Sequence, residues 1–308
     1  MSLKRVSTVI AAALLAGAAA IPASATPPKP GPELKAGPPK AAAGTAANPC
    51  GMYVGAFDAA GNTGGADVVA TRPPTAQPFD DPVRLYPVKE SSTWYYSAVT
   101  AESWWYGKVI NGSGLYSAEV RWRGGEPEPI ITSKRIGGGW DRFTQIEESD
   151  ATWVSKPHGY FYGLRDDGVL FRWDSYSFKA LGSYPGFAAV KTMALISETS
   201  TYDTLLATTR GGALYTIRIP VTSPMKPIVK PVRTRTWQGF ESIVAYKCGK
   251  QGTLLTAVDY DTDSAYLYAV GHANGTATVI ESLGKIPTPF PGVAHHAMTG
   301  EGEDLFGE

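Results

Sequence analysis

Beyond residue 48 the chain is a succession of short apolar and aromatic runs separated by polar or Gly-rich turns, and no stretch there keeps the spacing of an amphipathic helix. One two-part phrase recurs, in which an apolar strand-like run is followed by a turn and then by a second short run rich in aromatics. It reads Trp104-Trp105-Tyr106 then Gly114-Leu115-Tyr116, Tyr160-Phe161-Tyr162 then Val169-Leu170-Phe171, Leu205-Leu206 then Ala213-Leu214-Tyr215, and Leu254-Leu255 then Tyr266-Leu267-Tyr268. A further strand-like run precedes each copy, opened by a cluster of Gly, Pro and aromatic residues. These openings are Pro78-Phe79, Gly139-Trp140 with Phe143, Tyr184-Pro185-Gly186-Phe187, Trp237 with Gly239-Phe240, and Pro289-Phe290-Pro291-Gly292. The last four lie roughly 45 to 53 residues apart, the period of a four-stranded propeller blade. Five openings predict an all-β fold, a five-bladed β-propeller.

The two ends of the pattern are out of phase. The chain stops at Asp304-Leu305-Phe306-Gly307-Glu308, two strands into a fifth repeat, while Gly51-Met52-Tyr53-Val54 matches a third strand and Ala66 to Thr71 supplies a fourth. Joining the ends in one blade closes the ring and removes exposed sheet edges. The alternative is a two-sheet β-sandwich, which many short strands would also satisfy but which has no need of complementary partial repeats.

Composition changes the picture mainly at the N-terminus. Lys4 and Arg5 precede an apolar run from Val9 to Ile21, and Ala23-Ser24-Ala25 completes the pattern of a cleavable export signal over residues 1–25. Residues 26–48, rich in Pro, Ala and Gly, read as a flexible tether, which leaves 49–308 as the propeller domain. The apolar run is about 13 residues, short of a membrane span, so no membrane insertion is expected. Cleavage removes two of 28 basic residues and none of 28 acidic ones, for a mature charge of −2. That balance offers nothing to nucleic acid. An extracellular location is expected.

Arg135-Ile136-Gly137-Gly138-Gly139-Trp140-Asp141-Arg142-Phe143, followed by Tyr160-Phe161-Tyr162-Gly163 and Val169-Leu170-Phe171, resembles the repeat of the tachylectin-2 family of five-bladed propeller lectins. Weaker echoes are Trp237-Gln238-Gly239-Phe240, Ala213-Leu214-Tyr215-Thr216-Ile217 and Tyr266-Leu267-Tyr268-Ala269-Val270. The resemblance implies a propeller that binds N-acetylated sugars. Its specific motif covers one repeat.

In an antiparallel blade the connection into the first strand and the turn between second and third strands share a face. Sugar recognition needs an aromatic plate and planar hydrogen-bonding groups. On that face the candidate ligand-binding residues are Gly138, Gly139, Trp140 and Asp141 from one connection, Arg165, Asp166 and Asp167 from a hairpin, and Trp237. Each has a plainer role: Trp140 and Phe143 as packing between blades, Asp166-Asp167-Gly168 as a hairpin turn. Asp259, Asp261 and Asp263 begin like a calcium loop, but Ser264 and Val270 stand where Gly and Glu are required, so no metal or other cofactor is expected. His295 and His296 are adjacent on a predicted innermost strand, where side chains alternate, and make a poor chelate.

No nucleophile elbow or zinc-protease motif occurs, and no catalytic residue is assigned. Asp80, Asp141, Glu147, Glu148, Glu198 and Glu241 fall near first strands that line a propeller channel, where a pair about 5 to 9.5 Å apart would suit glycoside hydrolysis. The preferred expectation is a secreted lectin-like propeller whose partner is a carbohydrate or glycoconjugate. A propeller glycoside hydrolase and a protein-interaction scaffold are the alternatives, and the oligomeric state is open. Secretion makes a Cys50–Cys248 bridge natural. The strand count argues against it, because a third-strand start and a first-strand end lie on opposite faces, beyond the roughly 7 Å that a disulfide spans.

Overall fold

The computed structural model describes residues 49–79, 83–300 and 303–308. The expected export signal and tether lie outside the described residues. Twenty-one strands and no helix occur among them. The first three, β1 (Gly51–Phe57), β2 (Thr63–Val69) and β3 (Thr75–Phe79), form an antiparallel meander. Next, β4 (Glu90–Ser91) and β5 (Trp94–Val99) both pair with β6 (Glu102–Asn111), which leads to β7 (Gly114–Arg123) and β8 (Ile130–Gly138).

Three separate four-stranded antiparallel sheets follow in order. They are β9 (Phe143–Ala151), β10 (His158–Arg165), β11 (Leu170–Asp174) and β12 (Ala180–Tyr184); β13 (Val190–Glu198), β14 (Tyr202–Thr209), β15 (Leu214–Pro220) and β16 (Ile228–Arg233); and β17 (Ser242–Cys248), β18 (Gly252–Asp259), β19 (Ser264–Val270) and β20 (Ile280–Lys285). The last strand, β21 (Ala294–Gly300), runs antiparallel to β1, with Tyr53 opposite Met298 and Phe57 opposite Ala294. On its other side it meets β5 in a short parallel contact from Met298↔Trp94 to Gly300↔Tyr96. Successive first strands β9, β13, β17 and β21 are neighbours, and β21 in turn neighbours β4 and β5. Side-by-side four-stranded sheets of this kind are the blades of a β-propeller rather than the two facing layers of a sandwich.

Period-2 alternation explains where the core sits. Leu205 packs with Leu164, Leu170 and Ile217 between the β9–β12 and β13–β16 sheets, while its neighbour Leu206 points the other way, to Trp237, Ile243 and Leu255. Leu254 and Leu255 likewise feed two different clusters. Second strands are therefore apolar on both faces, and outer strands such as β8 carry Ser, Lys and Arg into solvent.

The openings act as wedges. The backbone N–H groups of Trp140, Phe187, Trp237 and Phe290 donate to the carbonyls of Ser113, Gly168, Gly212 and Asp263 at 2.9 to 3.0 Å, each acceptor lying in the second hairpin turn of the preceding sheet. Leu85 makes the same bond to Gly61 at 2.9 Å. Backbone approaches so closely there that a Cβ on Gly61 would lie 2.2 Å from the Tyr86 carbonyl oxygen, and one on Gly168 2.2 Å from the Ala188 nitrogen.

Three expectations are corrected. Pro78 and Phe79 belong to the outer strand β3, and the opening of that repeat is at Leu85. The N-terminal segment contributes three strands beside β21 rather than two, because residues 303–308 do not pair with β21. They turn instead along β13, where Glu198 N–H donates to Leu305 O and Gly307 N–H to Ile196 O. The third follows: β1 is a second strand, antiparallel to first strands, so its start lies at the same end as the last residue of β17. Cys50 and Cys248 accordingly form a disulfide with Cα atoms 5.5 Å apart.

Candidate functional site

The face where first strands begin, here the upper face, collects the polar residues expected there. Arg165 forms a fork with Asp167 (Nε–Oδ1 2.9 Å, Nη2–Oδ2 2.6 Å) and Arg142 pairs with Asp166 at 2.6 Å. The guanidinium groups hold both carboxyls below the usual carboxylate range. Gly138, Gly139 and Asp141 are exposed beside them, Gly139 in a left-handed turn with φ of 82°. Trp140 and Trp237 are not brought to this surface. They are 6% and 5% exposed and belong to separate cores. Trp140 packs on Phe143, Trp173 and Phe161 at ring distances of 4.4, 5.0 and 5.7 Å, and Trp237 on Tyr268 at 5.0 Å. Neither offers a free ring face.

First-strand carboxylates do converge inward, at the centre. Glu90 Oε2 accepts from Gln145 Nε2 at 2.8 Å, and Glu147 Oε1 from the Thr93 hydroxyl at 2.7 Å. Glu90, Glu147, His295 and His296 line a chamber of 20 Å³. A second 20 Å³ chamber toward the lower face is lined by Glu148, Asp150 and Glu198. Each holds about one water and no sugar ring. Glu148 is ion-paired to Lys108, Glu198 accepts the N–H groups of Asp150 (2.7 Å) and Leu305 (3.2 Å), and Glu241 is paired to Lys191 at 2.6 Å. Asp80 lies outside the described residues.

Burial pushes Glu90 and Glu147 up to about 8 and pulls His295 and His296 down to about 4 and about 3. In the unfolded chain the glutamates ionise near 4.5 and the histidines near 6.5. Between about pH 6.5 and 8 only the folded glutamates still hold extra protons, so stability falls as pH rises, by at most about 1.4 kcal/mol per unit for each group. Between about 4.5 and 6.5 the histidines act in the opposite sense and offset this in part, since burial also raises Glu148 and Glu198. Thermal scans are expected to show a Tm that declines from pH 6.5 to 8, less steeply in Glu147→Gln. A Tm that climbs from pH 6.5 to 8 would contradict the buried-acid assignment.

Room for a ligand exists elsewhere on the upper face. A groove of 440 Å³ runs between the β1–β2 turn and the proline-rich connection into β21. Pro78, Phe79, Pro289 and Pro291 line it, together with Asp58 and Asn62. Phe79 stacks on Tyr53 with ring centroids 4.3 Å apart. Gly65 makes room for that ring, since a Cβ there would lie 2.7 Å from Phe79 Cζ. Asp58 is preset: Oδ2 accepts Asn62 Nδ2 at 2.7 Å, and Oδ1 accepts the N–H groups of Asn62 (2.9 Å) and Ala60 (2.8 Å). These bonds, the Asn62 side chain's foremost, hold its carboxyl below the usual range. Beyond Thr288 and Pro289 a second hollow of 580 Å³ is lined by Thr262, Asp263 and Lys285. In the sequence Pro78-Phe79 and Pro289-Phe290-Pro291 fit repeat openings, and nothing local singles out Asp58 and Asn62. Only their spatial meeting marks them as a site.

No protein family model matches the chain, and no curated protein matches it. Among solved structures it resembles a six-bladed propeller fungal lectin from Aleuria aurantia with a fucose recognition mode, at 15% identity over 78% of this chain and 80% of the lectin, TM-score 0.41. It also resembles an α-L-arabinofuranosidase from Podospora anserina solved with cellotriose, at 12% identity over 59% of this chain, TM-score 0.38. The chain spans only 64% of that enzyme's length. A Xanthomonas citri GH43_1 enzyme complexed with xylotriose aligns at 11% identity over 63% of this chain and 73% of the enzyme, TM-score 0.35. Superpositions this loose transfer no activity to this chain.

Proposed function

We propose that this chain is an exported, non-catalytic carbohydrate-binding protein built as a closed five-bladed β-propeller. Five blades are supported by the five wedge hydrogen bonds from Leu85 to Phe290, and closure by the seat of β1 against β21. Export is supported by the N-terminal pattern and by the Cys50–Cys248 bridge, which belongs in an oxidising compartment. The observation that carries the binding role is the 440 Å³ groove lined by Phe79 and three prolines together with the preset Asp58 and Asn62. An apolar wall takes the C–H face of a pyranose, and the carboxylate and amide take its hydroxyl or acetamido groups. The hydrolase alternative asks a substrate to reach carboxylates in chambers of 20 Å³.

A glycan array probed with the chain from residue 26 onward tests this. Binding is expected among N-acetylated sugars, and Phe79→Ala is expected to weaken it about tenfold, the loss of about 1.4 kcal/mol of ring contact. Affinity unchanged by Phe79→Ala and Asp58→Asn would remove the groove from consideration, and silence across the array would remove the lectin reading.

A further inference from the structure

The 440 Å³ groove and the 580 Å³ hollow are both bordered by Thr288 and Pro289, so they adjoin across that pair. Each has the size of a small-ligand site, about 300 to 1,000 Å³. The ridge between them is pinned from below. Ile286 and Phe290 are 1% and 2% exposed, and their N–H groups donate to Ala265 O and Asp263 O at 2.9 Å, while Pro287, Pro289 and Pro291 stand exposed with φ fixed by their rings. A wall already ordered in this way loses little entropy when a ligand settles on it. Polar groups along it are left free. Among the described residues the Asp263 carboxylate, the Lys285 ammonium and the Thr288 hydroxyl have no hydrogen-bond or ion-pair partner, and all three residues line the hollow.

We propose that groove and hollow form one continuous cleft, and that its ligand is an oligosaccharide of at least two units lying across Thr288 and Pro289. The inference rests on the groove being a saccharide site. One unit occupies the groove with Phe79, Asp58 and Asn62, and the next occupies the hollow, where Asp263 accepts from its hydroxyls and Lys285 donates to its oxygens. A single sugar ring fills one of the two spaces and leaves the other to water. An oligomer fills both, and its second unit binds at reduced cost because the first has already given up the ligand's translational and rotational freedom.

Chain-length dependence tests this. The chain from residue 26 onward, as wild type, Lys285→Ala, Asp263→Asn and Phe79→Ala, is applied to an array carrying hexoses and N-acetylated sugars, each as a single unit, a dimer and a trimer. Lys285 and Asp263 are exposed, and Asn accepts the left-handed φ of 47° at position 263, so both variants keep the fold. In the wild type the dimer is expected to bind at least tenfold more tightly than the single unit. That advantage is expected to shrink to threefold or less in Lys285→Ala and Asp263→Asn, whereas Phe79→Ala weakens single unit and dimer alike. A wild type that binds the single unit and the dimer equally, or a dimer advantage untouched by both hollow variants, overturns the extended cleft while the groove stands. Binding untouched by Phe79→Ala overturns the groove reading and the cleft with it, as does a wild type that binds no sugar on the array.

Discussion

Replacing Cys50 and Cys248 together by serine is expected to lower the unfolding free energy by about 5 kcal/mol. The bridge spans 198 residues of sequence, and closing a loop of that length in the unfolded chain removes conformational entropy worth about 5 kcal/mol at 25 °C. The position adds to the effect. Cys50 immediately precedes β1, a strand whose partner β21 lies at the far end of the chain, and Cys248 ends β17, which neighbours β21. Without the bridge the meander β1–β3 keeps the β1–β21 ladder, the wedge bond from Leu85 to Gly61 and the packing of Met52, Val54, Ala66 and Val68. Urea unfolding with and without reductant measures this, and coincident midpoints would show that the unfolded chain gains nothing from release of the tie.

Trp140→Ala is expected to cost about 3 to 5 kcal/mol, the range for truncating a buried large aromatic residue. Its indole fills the space between the β5–β8 and β9–β12 sheets with Phe143, Phe161, Ile110 and Leu115, and three other rings lose contact at once. The wedge bond from its backbone N–H to Ser113 would remain, so a lost side chain and not a lost connection is measured. A surface plate would behave differently. Truncating an exposed Trp changes stability by about 0.5 kcal/mol or less, so the urea midpoint of Trp140→Ala distinguishes a packing residue from a ligand residue without any sugar. Trp140→Phe, which keeps a ring in the wedge, is expected to recover more than half of the loss.

The chain's alternation by itself determined the strands and which of their residues are buried. Leu205, Leu206, Leu254 and Leu255 read as second strands and are buried on both faces, and the aromatics at 140, 187, 237 and 290 read as openings and sit as wedges. The meeting of Arg142 with Asp166 on one face follows from strand direction alone. Tertiary structure alone decided three further matters. A period of two is the same in every strand of a blade, so it marks a buried face without saying which neighbour covers it. The segment at Gly51 therefore fits a third strand as well as a second, and the Cys50–Cys248 distance turns on which of the two it is. The same pattern marks Trp140 as aromatic but not as covered, because its cover comes from Ile110 and Leu115 in the preceding sheet. Finally, the groove joins residues 58–79 to residues 288–291. No local signal marks such a site, since each part is an ordinary turn until the fold sets it beside the others.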